Sequence, residues 1–406
     1  MNVNELLSQL TPIGLDPASG GYRRFSWTTV DLALRRWFVD QARTRKLRIH
    51  KDRNANLWAF LPAPKSDRPE INRPEINLPE IGEVVAVGSH LDSVPDGGAF
   101  DGPLGIVSAF AALDILESRG LRPGRPVAVV AFTEEEGARF GMPCLGSRLL
   151  TGAVEPDRAR SLTDPDGVTL EQAMLEADED PSQLGPDPSL LAGLRAYVEL
   201  HIEQGAGLSH LGHPVAVGAE IWPHGRWRLE FPGTANHAGT TPMQDRNDPI
   251  ADFATTVLRV MDAARSQDSR ATFGRVRVVP NSTNAIPSLV TAWLDARAAT
   301  TGALEMLVES IGDEVKRTEE SLTPAVEFDR DLRDRLVDLL GGVPVLPTAA
   351  GHDAGVLSAA GVPTAMLFVR NPTGVSHSPS EHATPDDCIY GAESLARVLT
   401  FLGDFQ

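Results

Sequence analysis

Two runs of consecutive apolar residues restrict this chain more than any other feature. VVAVGSH, from Val84, and PVAVVAFTEEE, from Pro126, open with unbroken apolar runs, VVAVG and PVAVVAF, and PLGIVSAFAALDILESRG between them reads as a helix ending at Gly120. A strand without alternation must be covered on both faces, which is the condition of a parallel strand in a βαβ unit. The expected class is therefore α/β, with a mixed, largely parallel sheet and helices on both faces. Such sheets place ligands beyond the carboxyl ends of their strands. The polar residues of this chain cluster there.

Before this unit, the first ~60 residues have helical apolar spacing at Val30, Leu32, Leu34, Trp37 and Phe38, followed by the strand-like NANLWAFLP. Next comes SDRPEINRPEINLPEIGE, where RPEIN occurs twice. Proline every five residues suppresses regular structure, so a surface loop is expected, with a docking motif as the alternative. AYVELHIEQG reads as a further core strand. From 214 to 328 the pattern changes to strands at WRLEFPG, RVRVVP and LVTAWLDARA with helices at 249–265 and 302–320, a smaller α+β unit. TAMLFVR and a helix from Asp386 to Leu402 then resume the first pattern. The expected organisation is a first domain over 1–213 and 329–406, interrupted by an insert over 214–328.

Charge and cysteine content narrow the function classes. With 37 basic and 55 acidic residues the formal net charge is −18, which opposes binding to nucleic acid or to an anionic membrane surface. No run approaches the ~18 apolar residues of a membrane span, and the N-terminus lacks a signal-peptide pattern, so a cytoplasmic protein is expected. Two cysteines, Cys144 and Cys388, make neither a disulfide framework nor a cysteine metal site. Any metal must be held by His, Asp and Glu.

Those residues occur in five islands. In GSHLDSVPDGGAFDGPLG, His90 closes a strand, Asp92 stands where a carboxylate fixes an imidazole tautomer, and Asp101 lies among Gly97, Gly98, Gly102 and Gly105 on a loop that can approach an ion. A phosphate loop is disfavoured, because neither GxGxxG nor a Lys-bearing P-loop is present. AFTEEEGARFG puts Glu134, Glu135 and Glu136 at the end of a buried strand, where three carboxylates repel unless a cation compensates them. ELHIEQG carries His201, and GVSHSPSEHA carries His377 and His382. Each histidine alone reads as structural, and the glutamates alone as a solvated turn. Taken together, these N and O donors without sulfur suit two divalent ions sharing a bridging carboxylate. The fifth island, GTANHAGTTPM with PNSTNAIPS and LDARA, offers His237 and Arg297. The ordinary reading of His237 is a turn residue and of Arg297 a surface ion pair; Arg297 also suits bidentate binding of a carboxylate.

In this order and spacing, the islands resemble the metal-dependent amidohydrolases of the N-carbamoyl-L-amino acid hydrolase and allantoate amidohydrolase group, relatives of dinuclear aminopeptidases and carboxypeptidases. The resemblance runs from about residue 20 to the C-terminus. It implies a catalytic domain interrupted by a lid or dimerisation domain, and two divalent ions per subunit, of Zn, Mn, Co or Ni. One ion would be held by His90 and His201 and the other by Glu136 and His377, with Asp101 bridging. Glu135 would be the general base. His237 would reach the active site of the partner subunit in a homodimer, and Gln204, Asn284 and Arg297 would hold the carboxylate of a small-molecule substrate.

Two departures bear on that substrate. VRNPTGVSHSP puts Arg370 and Asn371 close to a metal ligand, and IWPHGRW adds His224 and two tryptophans to the lid. The resemblance implies hydrolysis of a linear non-peptide C–N bond in an N-carbamoyl-L-amino acid or in allantoate. The alternative is deformylation of an N-formyl amino acid such as N-formylglutamate, with Arg370 pairing a second carboxylate. The rival from another class is a catalytically silent metal-binding homologue.

Overall fold

A computed structural model of the chain describes residues 1–63 and 83–406, so the RPEIN repeat lies outside the described residues. Two compact units are present. The first comprises Met1–Ala219, Glu327–Leu346 and Gly351–Gln406, and the second Glu220–Val326 and Pro347–Ala350.

The strands in chain order are β1 (Arg48–Lys51), β2 (Leu57–Leu61), β3 (Val84–His90), β4 (Val127–Phe132), β5 (Leu194–Ile202), β6 (Val215–Ile221), β7 (His224–Pro232), β8 (Asn236–His237), β9 (Arg270–Val279), β10 (Ala285–Ile286), β11 (Leu289–Arg297), β12 (Lys316–Thr323), β13 (Val326–Glu327), β14 (Val345–Thr348) and β15 (Thr364–Val369). The large sheet runs β1-β2-β4-β3-β5-β15-β6-β13. β4, β3, β5 and β15 pair in parallel, while β2 and β6 flank them antiparallel. This is the mixed, largely parallel sheet that the apolar runs require. β3, β4 and β15 are buried at every residue, which explains their lack of alternation.

The helix Pro103–Ser118 begins on a proline at its first turn and is buried continuously from Pro103 to Leu113. A helix apolar all round must sit inside, and this one packs against Pro385–Leu402 and Val3–Leu10. The chain thus leaves β3 for β4 on one side and β5 for β15 on the other. β3 and β5 are neighbours, so their carboxyl ends frame a topological switch point.

In the second unit, β12, β7, β11 and β9 form an antiparallel sheet, and β8 pairs with β10. Helices Pro249–Ser266 and Thr301–Glu309 supply Val260, Leu304 and Leu307 to a core with Leu229, Val290 and Leu294. The expected helix over 302–320 is corrected: it ends at Glu309, and Lys316–Thr323 is strand β12. Leu304, Leu307, Ile311 and Val315 keep helical spacing and all four are buried. However, Ile311 and Val315 reach the core from a turn in which Gly312 has φ +88°, a conformation open to glycine. The charged KRTEES then forms an exposed edge strand, a common way to protect a sheet edge.

Candidate active site

All four parallel strands deliver polar residues from their carboxyl ends. His90 is the last residue of β3, Glu134 to Glu136 follow β4, His201 is next to last in β5, and the chain beyond β15 carries His377. Two groups of potential ligands result, His90–Asp101–His201 and Asp101–Glu136–His377, in each of which the donor atoms lie within 4.8 Å of one another. Asp101 belongs to both. Its Oδ1 lies 3.1 Å from His201 Nε2 and 3.5 Å from His90 Nε2, and its Oδ2 lies 3.5 Å from His377 Nε2. His377 Nε2 is also 3.5 Å from Glu136 Oε2.

The imidazole tautomers follow from the main chain. His90 Nδ1 lies 3.1 Å from the Asp92 carbonyl and His201 Nδ1 lies 2.8 Å from that of Ile202. Carbonyls only accept, so both Nδ1 atoms donate, which leaves Nε2 of each ring turned toward Asp101 as the position for a proton or, in its place, a metal ion. Both Nε2 atoms are buried and without a hydrogen-bond partner among the described residues. A buried carboxylate that faces two imidazole nitrogens requires positive charge between them, and a divalent ion supplies it with both rings neutral, so these residues fit such an ion. Gly102 makes the approach possible. Its φ is +82°, and a Cβ there would lie 2.4 Å from the His90 ring.

The three consecutive glutamates face three different surroundings. Glu134 has φ +54° and turns inward, where its Oε1 accepts hydrogen bonds from the main-chain N–H of Arg139 and Phe140 at 3.0 and 2.9 Å. Glu135 Oε2 lies 3.7 Å from His90 Nε2, and the Cys144 thiol donates to Glu135 Oε1 at 3.4 Å. Glu136 joins His377. Asp92 meets His90 through two groups: its backbone carbonyl accepts from Nδ1, and its carboxylate Oδ1 lies 3.5 Å from the same nitrogen. The carboxylate also accepts from the Glu135 and Glu136 N–H groups at 3.2 and 3.0 Å, pinning the turn.

Electrostatics point the same way. Burial, with nearby carboxylates adding to it, pushes Glu135 and Glu136 well above the usual carboxylate range. Burial raises Glu134 to about 7. Burial would also raise Asp101, but the His201 and His90 rings outweigh it and hold that carboxyl well below its ordinary value. For His90 burial acts downward, and Glu135, Asp101 and Asp92 overcome it to hold the ring well above its ordinary value. A buried pocket with this surplus of carboxylate is compensated by a cation.

Several residues of this region were not singled out in the sequence. Glu381 is buried, and its Oε2 accepts from the Phe100 and Asp101 N–H groups; burial, then the Asp101 charge, push it up to about 7. Glu199 accepts from Ser89 Oγ at 2.9 Å and from Ala354 N at 2.9 Å. Ser147 donates to Asp353, and the His352 ring stands edge-on to His201 with centroids 4.6 Å apart. For Glu199, alternation on a buried strand was the available signal, since a carboxylate two residues before His201 on β5 shares its face.

The expected substrate-binding residues are distributed as follows. Gln204 Nε2 donates to Asp101 Oδ2 at 2.9 Å, beside the ligand groups. Arg370 forms a two-pronged pair with Asp387 at 3.0 and 2.8 Å. Asn371 accepts from Thr373 N and Gly374 N and donates to the Val375 carbonyl, building the turn that leads to His377. In the second unit, His237 pairs in register with Ala285, next to Asn284. His237 Nδ1 accepts from Gly239 N and Thr240 N at 3.0 and 3.2 Å, so its proton resides on Nε2. Arg297 uses Nε and Nη2 on Asp295 at 2.7 and 3.1 Å and Nη1 on the Ala349 carbonyl at 2.7 Å, the ion pair given above as its ordinary reading.

Comparison with known proteins extends these observations to the whole chain. Residues 86–400 match peptidase family M20/M25/M40. An N-carbamoyl-L-amino acid amidohydrolase of Geobacillus stearothermophilus is 36% identical over 409 residues, covering 96% of this chain and 95% of that protein. An allantoate amidohydrolase of Escherichia coli K12 is 30% identical over 414 residues, covering 98% and 96%. Among solved structures, AtUAH in complex with (S)-hydroxyglycine superimposes with a TM-score of 0.84 at 25% identity, covering 99% of this chain and 97% of that one. A carboxylate shared between two histidine-bearing ligand groups at the ends of parallel strands, and full-length likeness to these enzymes, lead to one conclusion: the chain belongs to peptidase family M20/M25/M40.

Proposed function

We propose that the chain hydrolyses the linear, non-peptide C–N bond of an N-carbamoyl-L-amino acid or of allantoate, using two divalent ions. The observation that carries this reading is the placement of Asp101, one oxygen toward His90 and His201 and the other toward His377. His90 and His201 would hold one ion, Glu136 and His377 the other, and Asp101 both. When bound, such ions act as Lewis acids and lower the pKa of a coordinated water.

The protein's own groups perform the remaining steps. Glu135 takes the proton of the attacking water and returns it to the departing amine nitrogen; its burial beside His90 keeps bulk water from competing for that proton. His237, with its proton on Nε2, is suited to donate to the carbonyl oxygen as negative charge develops there. Asn284, Arg297 and Gln204 would orient the substrate carboxylate, Arg297 through the N–H groups not engaged by Asp295 and Ala349. The names of the relatives favour carbamoyl and ureido substrates. N-Formylglutamate is the weaker reading, because Asp387 already occupies the guanidinium fork of Arg370.

The test is a panel of carbamoyl, formyl and acetyl amino acids with allantoate, assayed after metal removal and after separate reconstitution with Mn and Zn. Chelation should abolish turnover and added metal restore it, with the highest kcat/KM on a carbamoyl or ureido acid. Full activity in rigorously metal-free protein would end this reading. The homodimer, with His237 serving the partner's site, belongs to the same proposal. Mixing His237→Ala with Glu135→Gln subunits should then regenerate part of the activity; verified subunit exchange without recovery would rule out sharing.

A further inference from the structure

The loop that carries Asp101 is joined to the C-terminal loop by the side chains of Glu381 and Ser376. Glu381 is 5% exposed, and its Oε2 accepts from the Phe100 N–H at 2.9 Å and the Asp101 N–H at 3.0 Å. A Cβ at Gly98 would lie 2.2 Å from that same oxygen, so the glycine leaves space for the carboxylate. Four residues before Glu381 stands His377, and Ser376 Oγ donates to Asp101 Oδ2 at 3.1 Å. The C-terminal loop thus holds Asp101 at two places, its main-chain nitrogen and its carboxylate. The phenyl ring of Phe100 also stands edge-on to His382, centroids 6.2 Å apart.

A carboxylate serves two ligand groups at once only if its backbone is fixed. An aspartate turns about two side-chain torsions, and Oδ1 and Oδ2 face their separate partners for one narrow combination of these with the position of Cα. Hydrogen bonds from main-chain N–H to a carboxylate are among the stronger neutral-to-charged contacts and are directional. Two on adjacent nitrogens, Phe100 and Asp101, fix the peptide between them. Outer partners of this kind set the orientation of metal-binding groups.

We propose that Glu381 is a positioning residue that sets the Asp101 carboxylate for both ligand groups together, so that the two ion sites form and fail as a unit. The inference rests on the reading that Asp101 bridges two ions. A carboxylate that merely tied down a surface loop would affect stability alone. One that positions the bridge affects ion affinity in the folded protein, and a neutral side chain with an oxygen in the same place restores it.

The experiment measures ion stoichiometry and affinity of the full chain with Mn²⁺ and with Zn²⁺ in competition with a chromophoric chelator, for wild type and for Glu381→Gln, Glu381→Ala and Glu381→Asp. Glu381→Gln retains a carbonyl oxygen able to accept both N–H groups, and should stay near wild type. Glu381→Ala should lose roughly 10–100-fold in affinity for both ions, the usual effect of deleting an outer partner, with kcat falling and KM nearly unchanged. If Glu381→Ala does not fold, Glu381→Asp carries the test, since a carboxylate shorter by one methylene should also weaken both ions. Wild-type affinity in Glu381→Ala or Glu381→Asp, weakening of one ion alone, or a Gln variant as impaired as the Ala variant would each overturn the proposal. Failure of the underlying reading looks different: wild type would bind fewer than two ions, or Asp101→Asn would keep both.

Discussion

Glu135→Gln is expected to lower kcat by roughly 10²–10⁴-fold, the scale of a positioned acid or base, in a protein that retains its fold and its ions. The substitution keeps the shape of the side chain and removes its ability to take a proton. It leaves the main chain undisturbed, since Glu135 N is held by Asp92 and Glu135 O accepts from Cys144 N at 2.6 Å. The neighbouring positions supply the controls. Glu136→Gln should weaken ion binding, because that carboxylate faces His377 and Asp101. Glu134→Gln should be mild in both respects, because a glutamine carbonyl can accept the same Arg139 and Phe140 N–H bonds. Turnover and metal content measured on all three variants decide the matter. A loss of ions in Glu135→Gln with retention in Glu136→Gln would mean that base and ligand are exchanged.

Asp101→Ala should be still more damaging. It removes the oxygen facing His90 and His201 and the oxygen facing His377 in one change, and leaves the donors Gln204 Nε2 and Ser376 Oγ without their acceptor. The His90 and His201 nitrogens then remain as donors with no carboxylate beside them, so the charge of an ion is left unbalanced in a buried pocket. Ion affinity should fall by more than the ~10–100-fold typical of losing an outer partner, and turnover should vanish at ion concentrations that saturate the wild type. Direct metal analysis after gel filtration is the measurement. Near-normal content in Asp101→Ala would remove the bridge from the mechanism.

Much of the architecture was written in local pattern. VVAVG and PVAVVAF are apolar at every position because β3 and β4 are buried on both faces, and the helix between them is largely apolar because it is buried from Pro103 to Leu113. The residues that could hold an ion stood out for the same reason: His90, the glutamates and His201 stand at strand ends, where a doubly covered sheet tolerates polar side chains. Periodicity failed at 302–320, where Ile311 and Val315 continue the helical spacing of Leu304 and Leu307 from a turn. Burial selects the residue type and is indifferent to the backbone that delivers it.

What the chain carries in its sequence alone is the class of fold and the inventory of donors. Which atom faces which was decided by the tertiary structure. Three adjacent glutamates are equivalent in sequence and become distinct because Glu134 adopts a left-handed conformation that turns it inward, while the Asp92 carboxylate pins the next two nitrogens. Glu381 meets the Asp101 nitrogen across a separation of 280 residues, and Arg370, just beyond β15, finds Asp387 as its partner. No periodicity encodes such contacts. They depend on where two loops arrive after the sheet has closed, and a hydrogen bond or an ion site is fixed by a few ångströms and an angle, to which spacing along the chain is blind.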